Sequence, residues 1–385
     1  MEWLESLDAE AAARRTAGLR RDLHPRGAAE SDPVVDLAGN DYLGLSRHPD
    51  VLAAAAASLL RFGLGATGSR LVRGSTEAHH ALEDGLAGLL GFPSALVYSS
   101  GYLANLGAVR ALARRDTLIV SDAHNHASIV DACRLARGTG RDGVETVVAP
   151  HADPSAVAAI LAAHPGRPAL VVTESVFSVD GDLAPLPDLY EVARSHGALM
   201  LVDDAHALGV LGPRGAGGVA AAGLAGAPGL AVTATLSKSL GAAGGVIAGP
   251  RPLHRQLVDT GRTFIFDTAL PPAVAAGARA ALELLSAGDD LRATLHDRAG
   301  RAVDRLRGEG LDVPTPAGGV VSVAAPGPDE ALAWATACRD RGVAVGCFRP
   351  PSTPDGRSRL RLTVNAGLPE AAFDEALDVI LKERP

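Results

Sequence analysis

The sequence predicts an α/β chain: a large, doubly wound, mostly parallel sheet domain followed by a smaller α+β domain. Three observations carry this reading. Short uninterrupted apolar runs recur at 95–98, 117–120, 146–148, 169–173, 198–202 and 230–235, separated mostly by helical stretches. Uninterrupted runs, unlike alternating ones, mark strands covered on both faces, as in a parallel sheet wrapped by helices. After about residue 286 the texture changes to a long charged helix at 290–308 and then to mixed strands and helices. A length of 385 residues suits one large domain with a smaller companion. The expected division is 1–48 as an N-terminal helix and segment, 49–286 as the large domain and 287–385 as the small one.

Taken in order, residues 1–24 read as one amphipathic helix with paired arginines at Arg14-Arg15 and Arg20-Arg21. A short apolar piece occupies 34–45. Helical patterns follow at 51–63 and 77–91. The strand at 95–98 turns through Ser99-Ser100-Gly101 into a helix that begins near Tyr102. The strands at 117–120, 146–148 and 169–173 lead to helices at 127–136, 156–163 and 189–196. The runs 198–202 and 230–235 complete the series. Beyond residue 286, strands are expected at 320–323, 343–345 and 359–364, and helices at 330–341 and 369–382. No fixed-period repeat is present.

Composition narrows the function. Apolar residues at 47% and charged residues at 21% exclude a mostly disordered chain. Aromatics are only 3%, so Ala, Leu and Val must fill the core. A net charge of -8 provides no basic surface for nucleic acid. Cys133, Cys338 and Cys347 are too few and too far apart for a disulfide framework or a metal knuckle. The N-terminal stretch has no apolar signal core, which points to the cytoplasm. The uncharged run 215–237 is long enough to suggest a membrane span, but its glycines and Pro228 argue against one.

The chemistry begins with Lys238. It is one of only two lysines, the other being Lys382, and the only charged residue between Gly215 and Pro250. A desolvated ammonium group deprotonates more readily and becomes the nucleophilic amine that Schiff-base chemistry needs. The competing reading is a solvated loop lysine. Asp203-Asp204-Ala205-His206 directly follows the run 198–202. Carboxyl ends of strands face the ligand crevice in open α/β sheets, so Asp203 suits a protonated pyridine nitrogen and His206 lies within reach of a ring oxygen. A helix cap or a metal-binding Asp-His pair would use the same residues, although no third ligand is evident. Ser100-Gly101-Tyr102 sits where backbone N–H groups and a helix N-terminus attract phosphate. Thr235 and Thr268 are candidate phosphate hydroxyls, or ordinary strand and loop threonines. His126 suits stacking on a flat ring, with His124 as competitor. Arg359 and Arg361 share one strand face, and one of them can clamp a carboxylate. No dinucleotide or P-loop fingerprint occurs at a strand–helix turn.

In this order the pieces resemble the α-oxoamine synthase family of fold-type I enzymes dependent on pyridoxal 5'-phosphate (PLP). The motifs are Asn40-Asp41-Tyr42-Leu43-Gly44, Gly68-Ser69-Arg70, Ser100-Gly101-Tyr102, Asn125-His126-Ala127-Ser128, Val176-Phe177-Ser178-Val179-Asp180-Gly181, Asp203-Asp204-Ala205-His206 and Thr235-Leu236-Ser237-Lys238. They cover essentially the whole chain. The resemblance implies the fold-type I PLP-transferase architecture and a PLP-bound homodimer with its active sites at the subunit interface. It also implies decarboxylative condensation of an amino acid with an acyl thioester. Trp3, Arg20-Arg21 and Arg349-Pro350-Pro351-Ser352-Thr353-Pro354, followed by Arg359-Leu360-Arg361-Leu362-Thr363, most resemble the member that joins L-alanine to a pimeloyl group on CoA or a carrier protein. A glycine-using acetyltransferase of the family shares several of the large-domain motifs.

Carried over by position, the resemblance has Lys238 hold PLP, Asp203 pair with the pyridine nitrogen and His206 with the ring oxygen. His126 would stack on the ring and Ser178 would lie beside it. Gly101 and Tyr102 would present backbone to the phosphate, with the Thr235 hydroxyl added. Thr268 would reach the phosphate of the neighbouring subunit. Arg361 would bind the amino-acid carboxylate near Asn40, and Arg21 and Ser352 would face the acyl substrate. Two positions depart from the family pattern: Ser237 stands where Gly is common, and Ser352 where Thr is.

Overall fold

A computed structural model of the chain describes residues 2–28, 34–138, 143–353 and 355–385. Met1 of the expected N-terminal helix and Pro354 of the 349–354 motif lie outside the described residues. The chain forms two compact units. The larger comprises Asp41–Ser178 and Asp182–His296, and the smaller comprises Met1–Asn40, Val179–Gly181 and Asp297–Pro385.

In chain order the strands are β1 (Val35–Leu37), β2 (Ser94–Tyr98), β3 (Leu118–Asp122), β4 (Glu145–Ala149), β5 (Ala169–Glu174), β6 (Leu199–Asp203), β7 (Leu230–Thr235), β8 (Gly245–Gly249), β9 (Val320–Ala324), β10 (Val343–Phe348) and β11 (Arg359–Thr363). The large unit is built on a seven-stranded sheet ordered β2-β8-β7-β6-β5-β3-β4. β4, β3, β5, β6 and β7 run parallel, and β8 is antiparallel to both β7 and β2. The six apolar runs read from sequence are β2 to β7. Leu118, Ile119, Leu170, Leu201, Val202 and Val232 are fully buried. Each such side chain contributes about 1.5–3 kcal/mol on leaving water. The near absence of aromatics is met by small residues. Ala104 and Ala108 on the helix Gly101–Leu112 and Ala132 and Ala136 on the helix Ala127–Gly138 pack in one core with Ile119 and Leu170.

β8 is a strand that the sequence did not reveal. Its residues, Gly-Val-Ile-Ala-Gly, are a short apolar run framed by glycines. Pairing on both edges, with Leu96↔Ile247 on one side and Thr233↔Ile247 on the other, outweighs the poor strand propensity of its glycines. Gly245 has a further reason, because a Cβ there would come within 2.6 Å of the Gly101 nitrogen.

The small unit has a four-stranded sheet ordered β1-β10-β11-β9, with β1 parallel to β10 and the remaining pairs antiparallel. The apolar piece after residue 34 therefore supplies an edge strand, in which Val35 pairs with the far-off Val343. The buried Trp334, on the helix Pro328–Asp340, donates from Nε1 to the Ile380 carbonyl at 2.8 Å. The N-terminal helix is shorter than expected, spanning Glu2–Thr16. Gly18 takes φ 65, and the Leu19 N–H donates to the Arg14 carbonyl at 2.8 Å. This glycine-dependent closure ends the helix.

Candidate active site

In the large unit the parallel strands bring their carboxyl ends together. The register places Glu174 of β5 opposite Asp203 of β6, and Asp203 opposite Thr233 of β7. Asp203 is buried. Its Oδ2 accepts from Asn105 Nδ2 at 2.7 Å and its Oδ1 from the Ala205 N–H at 2.9 Å. Asn105 comes from the helix that follows β2, which aims its inner face across the strand ends. Lys238 lies three residues past β7, in a turn closed by Gly241 N–H to the Lys238 carbonyl at 2.8 Å. In the turn that follows β6, His206 Nδ1 lies 2.6 Å from Tyr42 Oη, so the ring of His206 is held by a fully buried phenol.

The residues expected at a phosphate lie together. Ser100 caps the helix Gly101–Leu112, its Oγ accepting from the Leu103 N–H at 3.2 Å. Gly101 and Thr235 are so close that a Cβ on Gly101 would sit 3.0 Å from Thr235 Cβ. Thr235 Oγ1 lies 2.8 Å from Ser237 Oγ and 3.1 Å from the Gly244 carbonyl. Tyr102 directs its side chain outward to Asp131, with Oη to Oδ2 at 2.6 Å, and that bond raises the phenol pKa. Only its backbone stays among them. Ser178 follows Phe177, whose N–H donates to the Asp182 carbonyl at 2.9 Å. Thr268 is exposed, between Asp267, which Ser99 hydrogen-bonds, and Ala269, whose N–H donates to the Gly68 carbonyl at 3.0 Å.

Three groups at the strand ends escaped the reading from sequence. Glu174 is buried and accepts from the His126 N–H at 2.5 Å. Burial and the neighbouring Asp203 push its carboxyl well above the usual range, against the pull of Lys238. The signal was available, because Glu174 is the first charged residue after an apolar strand, just as Asp203 is. Asn105 is a polar residue in an otherwise apolar helix, a weaker cue. His151 lies between two carboxylates, with Nδ1 2.9 Å from Asp122 and Nε2 2.8 Å from Asp182. Its ring stacks on His124 at 3.8 Å. Burial lowers the pKa of His151, but the hydrogen bonds and charges of the two aspartates outweigh it and push it up to about 9. His124 is therefore engaged with His151, while His126 Nδ1 lies 2.7 Å from Ser128 Oγ. The family motif residue Arg70 is structural here: it forms a buried bidentate pair with Glu83, at 2.7 and 3.0 Å.

In the small unit the two arginines of β11 have different partners. Arg359 pairs with Asp355 at 2.8 Å and Asp180 at 3.0 Å. Arg361 Nη2 donates to Asn40 Oδ1 at 3.0 Å, and its guanidinium lies 4.5 Å from the Phe348 ring centre. Arg21 Nη2 donates to Ser352 Oγ at 2.8 Å. A cavity of about 550 Å³ is lined by Arg20, Arg21, Arg339, Cys347, Arg349 and Ser352, among others. Among the described residues no group of three or more His, Cys, Asp or Glu could hold a metal ion, and no helix is long and apolar enough to cross a membrane.

The family of class I and II aminotransferases matches residues 32–380. The 8-amino-7-oxononanoate synthase of Mycolicibacterium smegmatis is 52% identical over 380 residues, 99% of this chain and 96% of that protein. The enzyme of the same name from Mycolicibacterium gilvum is 50% identical over the same shares. Among solved structures, serine palmitoyltransferase from S. paucimobilis with bound PLP and myriocin has a TM-score of 0.90 at 30% identity, covering 99% of this chain and 97% of that one. The 8-amino-7-oxononanoate synthase of Francisella tularensis has a TM-score of 0.76 at 25% identity, covering 91% and 97%. The residues present fit PLP. A capped helix N-terminus and a glycine that lets Thr235 approach it suit a phosphate, a buried carboxylate suits a pyridinium, and the lone lysine of the region lies beside them. The chain belongs to the class I and II aminotransferase family, as a transferase that uses PLP.

Proposed function

We propose that the chain condenses L-alanine with a pimeloyl thioester, on CoA or a carrier protein, to give 8-amino-7-oxononanoate, CO2 and the free thiol, a step of biotin synthesis. The observation that carries the chemistry is Lys238 beyond β7 beside a sheet end that holds Asp203 and Glu174. The choice of substrates is supported by the named relatives at about 50% identity over nearly the full chain.

PLP supplies an electron sink conjugated to the substrate nitrogen. The protein supplies the rest. Lys238 would hold the cofactor through Nζ, and its amine would take the Cα proton of alanine and return a proton at the end. Asp203 holds a proton on the pyridine nitrogen, and His206, braced by Tyr42, addresses the ring oxygen. Gly101, Tyr102 and Thr235 bind the phosphate, and Ser178 lies beside the ring. Arg361 would bind the alanine carboxylate, with Asn40 fixing its guanidinium, and so would orient the amino acid for reaction. His126 polarises the new ketone. Arg21 and Ser352, already hydrogen-bonded, meet the acyl substrate.

The working form is proposed to be a cytoplasmic homodimer, with Thr268 serving the phosphate of the partner. Large apolar side chains exposed on the large unit support this. Leu60, Leu64, Val72 and Phe266 are each more than two-thirds exposed, as residues at subunit contacts are before assembly. The test is an absorption spectrum of protein incubated with PLP, then titrated with L-alanine or glycine, followed by product analysis with pimeloyl-CoA. A visible band that shifts more with L-alanine supports the proposal. A colourless protein would overturn the cofactor roles, and a preference for glycine would overturn the substrate.

A further inference from the structure

We infer that Asn105 is a positioning residue that sets both Asp203 and, through Ser128, His126 from a single buried amide, and that it holds the His126 ring with its proton on Nε2. Asn105, Ser128 and Thr233 are all buried. Thr233 Oγ1 donates to Asn105 Oδ1 at 2.6 Å. The two hydrogens of Asn105 Nδ2 go to Asp203 Oδ2 at 2.7 Å and Ser128 Oγ at 2.9 Å. Ser128 Oγ lies 2.7 Å from His126 Nδ1.

The direction of every bond in this chain follows from elementary bonding. A carboxylate only accepts, so the Asn105 amide must turn its NH2 toward Asp203. Its Oδ1 then faces Thr233, which must donate. The second Nδ2 hydrogen occupies one lone pair of Ser128 Oγ, which keeps a second lone pair and its own hydrogen, so what else meets His126 Nδ1 decides which way the Ser128–His126 bond runs. The Ser128 backbone N–H also points at that nitrogen, at 3.2 Å, and a backbone N–H can only donate. That donor excludes a hydrogen on Nδ1, so the Ser128 hydroxyl donates there too. The ring is therefore neutral with its hydrogen on Nε2, the atom through which His126 can donate to a substrate oxygen.

Asparagine suits position 105 because one planar group must accept once and donate twice. Aspartate would set a second carboxylate against Asp203, and alanine would leave three buried polar partners unmet. The residue is also a mediocre helix former inside the helix Gly101–Leu112, a cost that its three hydrogen bonds offset. This inference rests on the proposed roles of Asp203 and His126, but the relay can be tested without them.

The first measurement is nitrogen NMR of cofactor-free protein labelled at histidine, with the His126 signals assigned by their loss in His126→Asn. The wild type should show the Nε2–H tautomer alone near neutral pH; Ser128→Ala keeps the backbone N–H at Nδ1, so it should keep that tautomer but shift the Nδ1 signal as the hydroxyl bond is lost. A wild type protonated on Nδ1, or a Ser128→Ala spectrum that leaves the His126 Nδ1 signal unshifted, would overturn the inference. Because Ser128→Ala is nearly isosteric and spares the Asp203 bond, it keeps the test valid if Asn105→Ala fails to fold. In the PLP-loaded enzyme, Ser128→Ala should lower kcat about tenfold with little change in the KM for alanine, and Asn105→Ala should lower it further. The double variant should match Asn105→Ala, since the second change cuts an arm already severed. Independent, multiplying losses would show two separate contacts and defeat the shared-amide reading. Failure of the wild type to bind PLP would instead sink the cofactor assignments and leave the NMR result standing.

Discussion

Positive charge is handled differently in the two units. At the strand ends of the large unit one lysine stands near the buried carboxyl groups of Glu174 and Asp203, and Asp203 is met by an amide and a backbone N–H. On β11 of the small unit, arginines two residues apart on one face have different partners. Arg359 pairs with Asp355 and Asp180, and Arg361 bonds the amide of Asn40 and lies over the Phe348 ring. A buried charge neutralised by carboxylates is a cross-link, and removing one partner leaves the others stranded. A charge met by an amide keeps its field available to an incoming anion. The partner, more than the residue type, separates structural charge from working charge.

That contrast can be broken in stages. The largest expected effect is Lys238→Ala, which should lower kcat by at least about 10³-fold and abolish the visible band of the PLP-treated protein. Lys238→Arg should not restore activity, because a guanidinium does not give up its proton in a protein. Turnover near the wild-type rate in Lys238→Ala would end the proposed mechanism. Asp203→Asn comes next: PLP should still bind, while kcat falls about a hundredfold or more in stopped-flow assays.

The paired substitutions on β11 sharpen the comparison most directly. Arg361→Leu should raise the KM for alanine by about tenfold or more with little change in melting temperature. Arg359→Leu should do the reverse, costing about 1–3 kcal/mol in denaturant titrations while the KM holds. Arg359 holds the Asp355 carboxyl well below its usual range through a direct hydrogen bond. A depressed carboxyl adds stability above its ordinary range and loses it as pH falls through the depressed value, so Arg359→Leu should also flatten the acid limb of the stability curve. Matching effects from the two substitutions would erase the distinction.

The smallest effect concerns His151. Its pKa is raised to about 9 in the folded chain, so its contribution is complete below about pH 6.5 and fades as pH rises through 9. Thermal unfolding followed from pH 6 to 10 should show a loss of about 1–3 kcal/mol that His151→Gln removes. An unchanged slope in that variant would assign the loss to other groups.

Much of this organisation is legible in the primary sequence. The uninterrupted apolar runs mark β2 to β7, because a strand buried on both faces has no choice but to be apolar throughout; the edge strand β4 is the exception, with Val148 exposed despite its apolar run. Lys238 and Asp203 stand out because a charge beside such runs needs a reason. Other features are silent for physical reasons. The β8 residues are a short apolar run framed by glycines, and what makes them a strand is pairing on both edges. Arg359 and Arg361 are indistinguishable by position, and Asp180 and Asn40, which tell them apart, lie 179 and 321 residues away. Asn105 reads as one polar residue in a helix until Thr233, Asp203 and Ser128 close around it.

By itself, then, the sequence determined which segments are buried, which class of sheet they build and which few charges sit at its strand ends. Burial and periodicity are properties of neighbouring residues, and a linear pattern carries them. The tertiary structure decided which amide faces Asp203, which arginine is neutralised, where β1 and β8 pair and which nitrogen of His126 carries the hydrogen. Each of those outcomes depends on hydrogen-bond partners brought together from distant parts of the chain, and no local pattern encodes them.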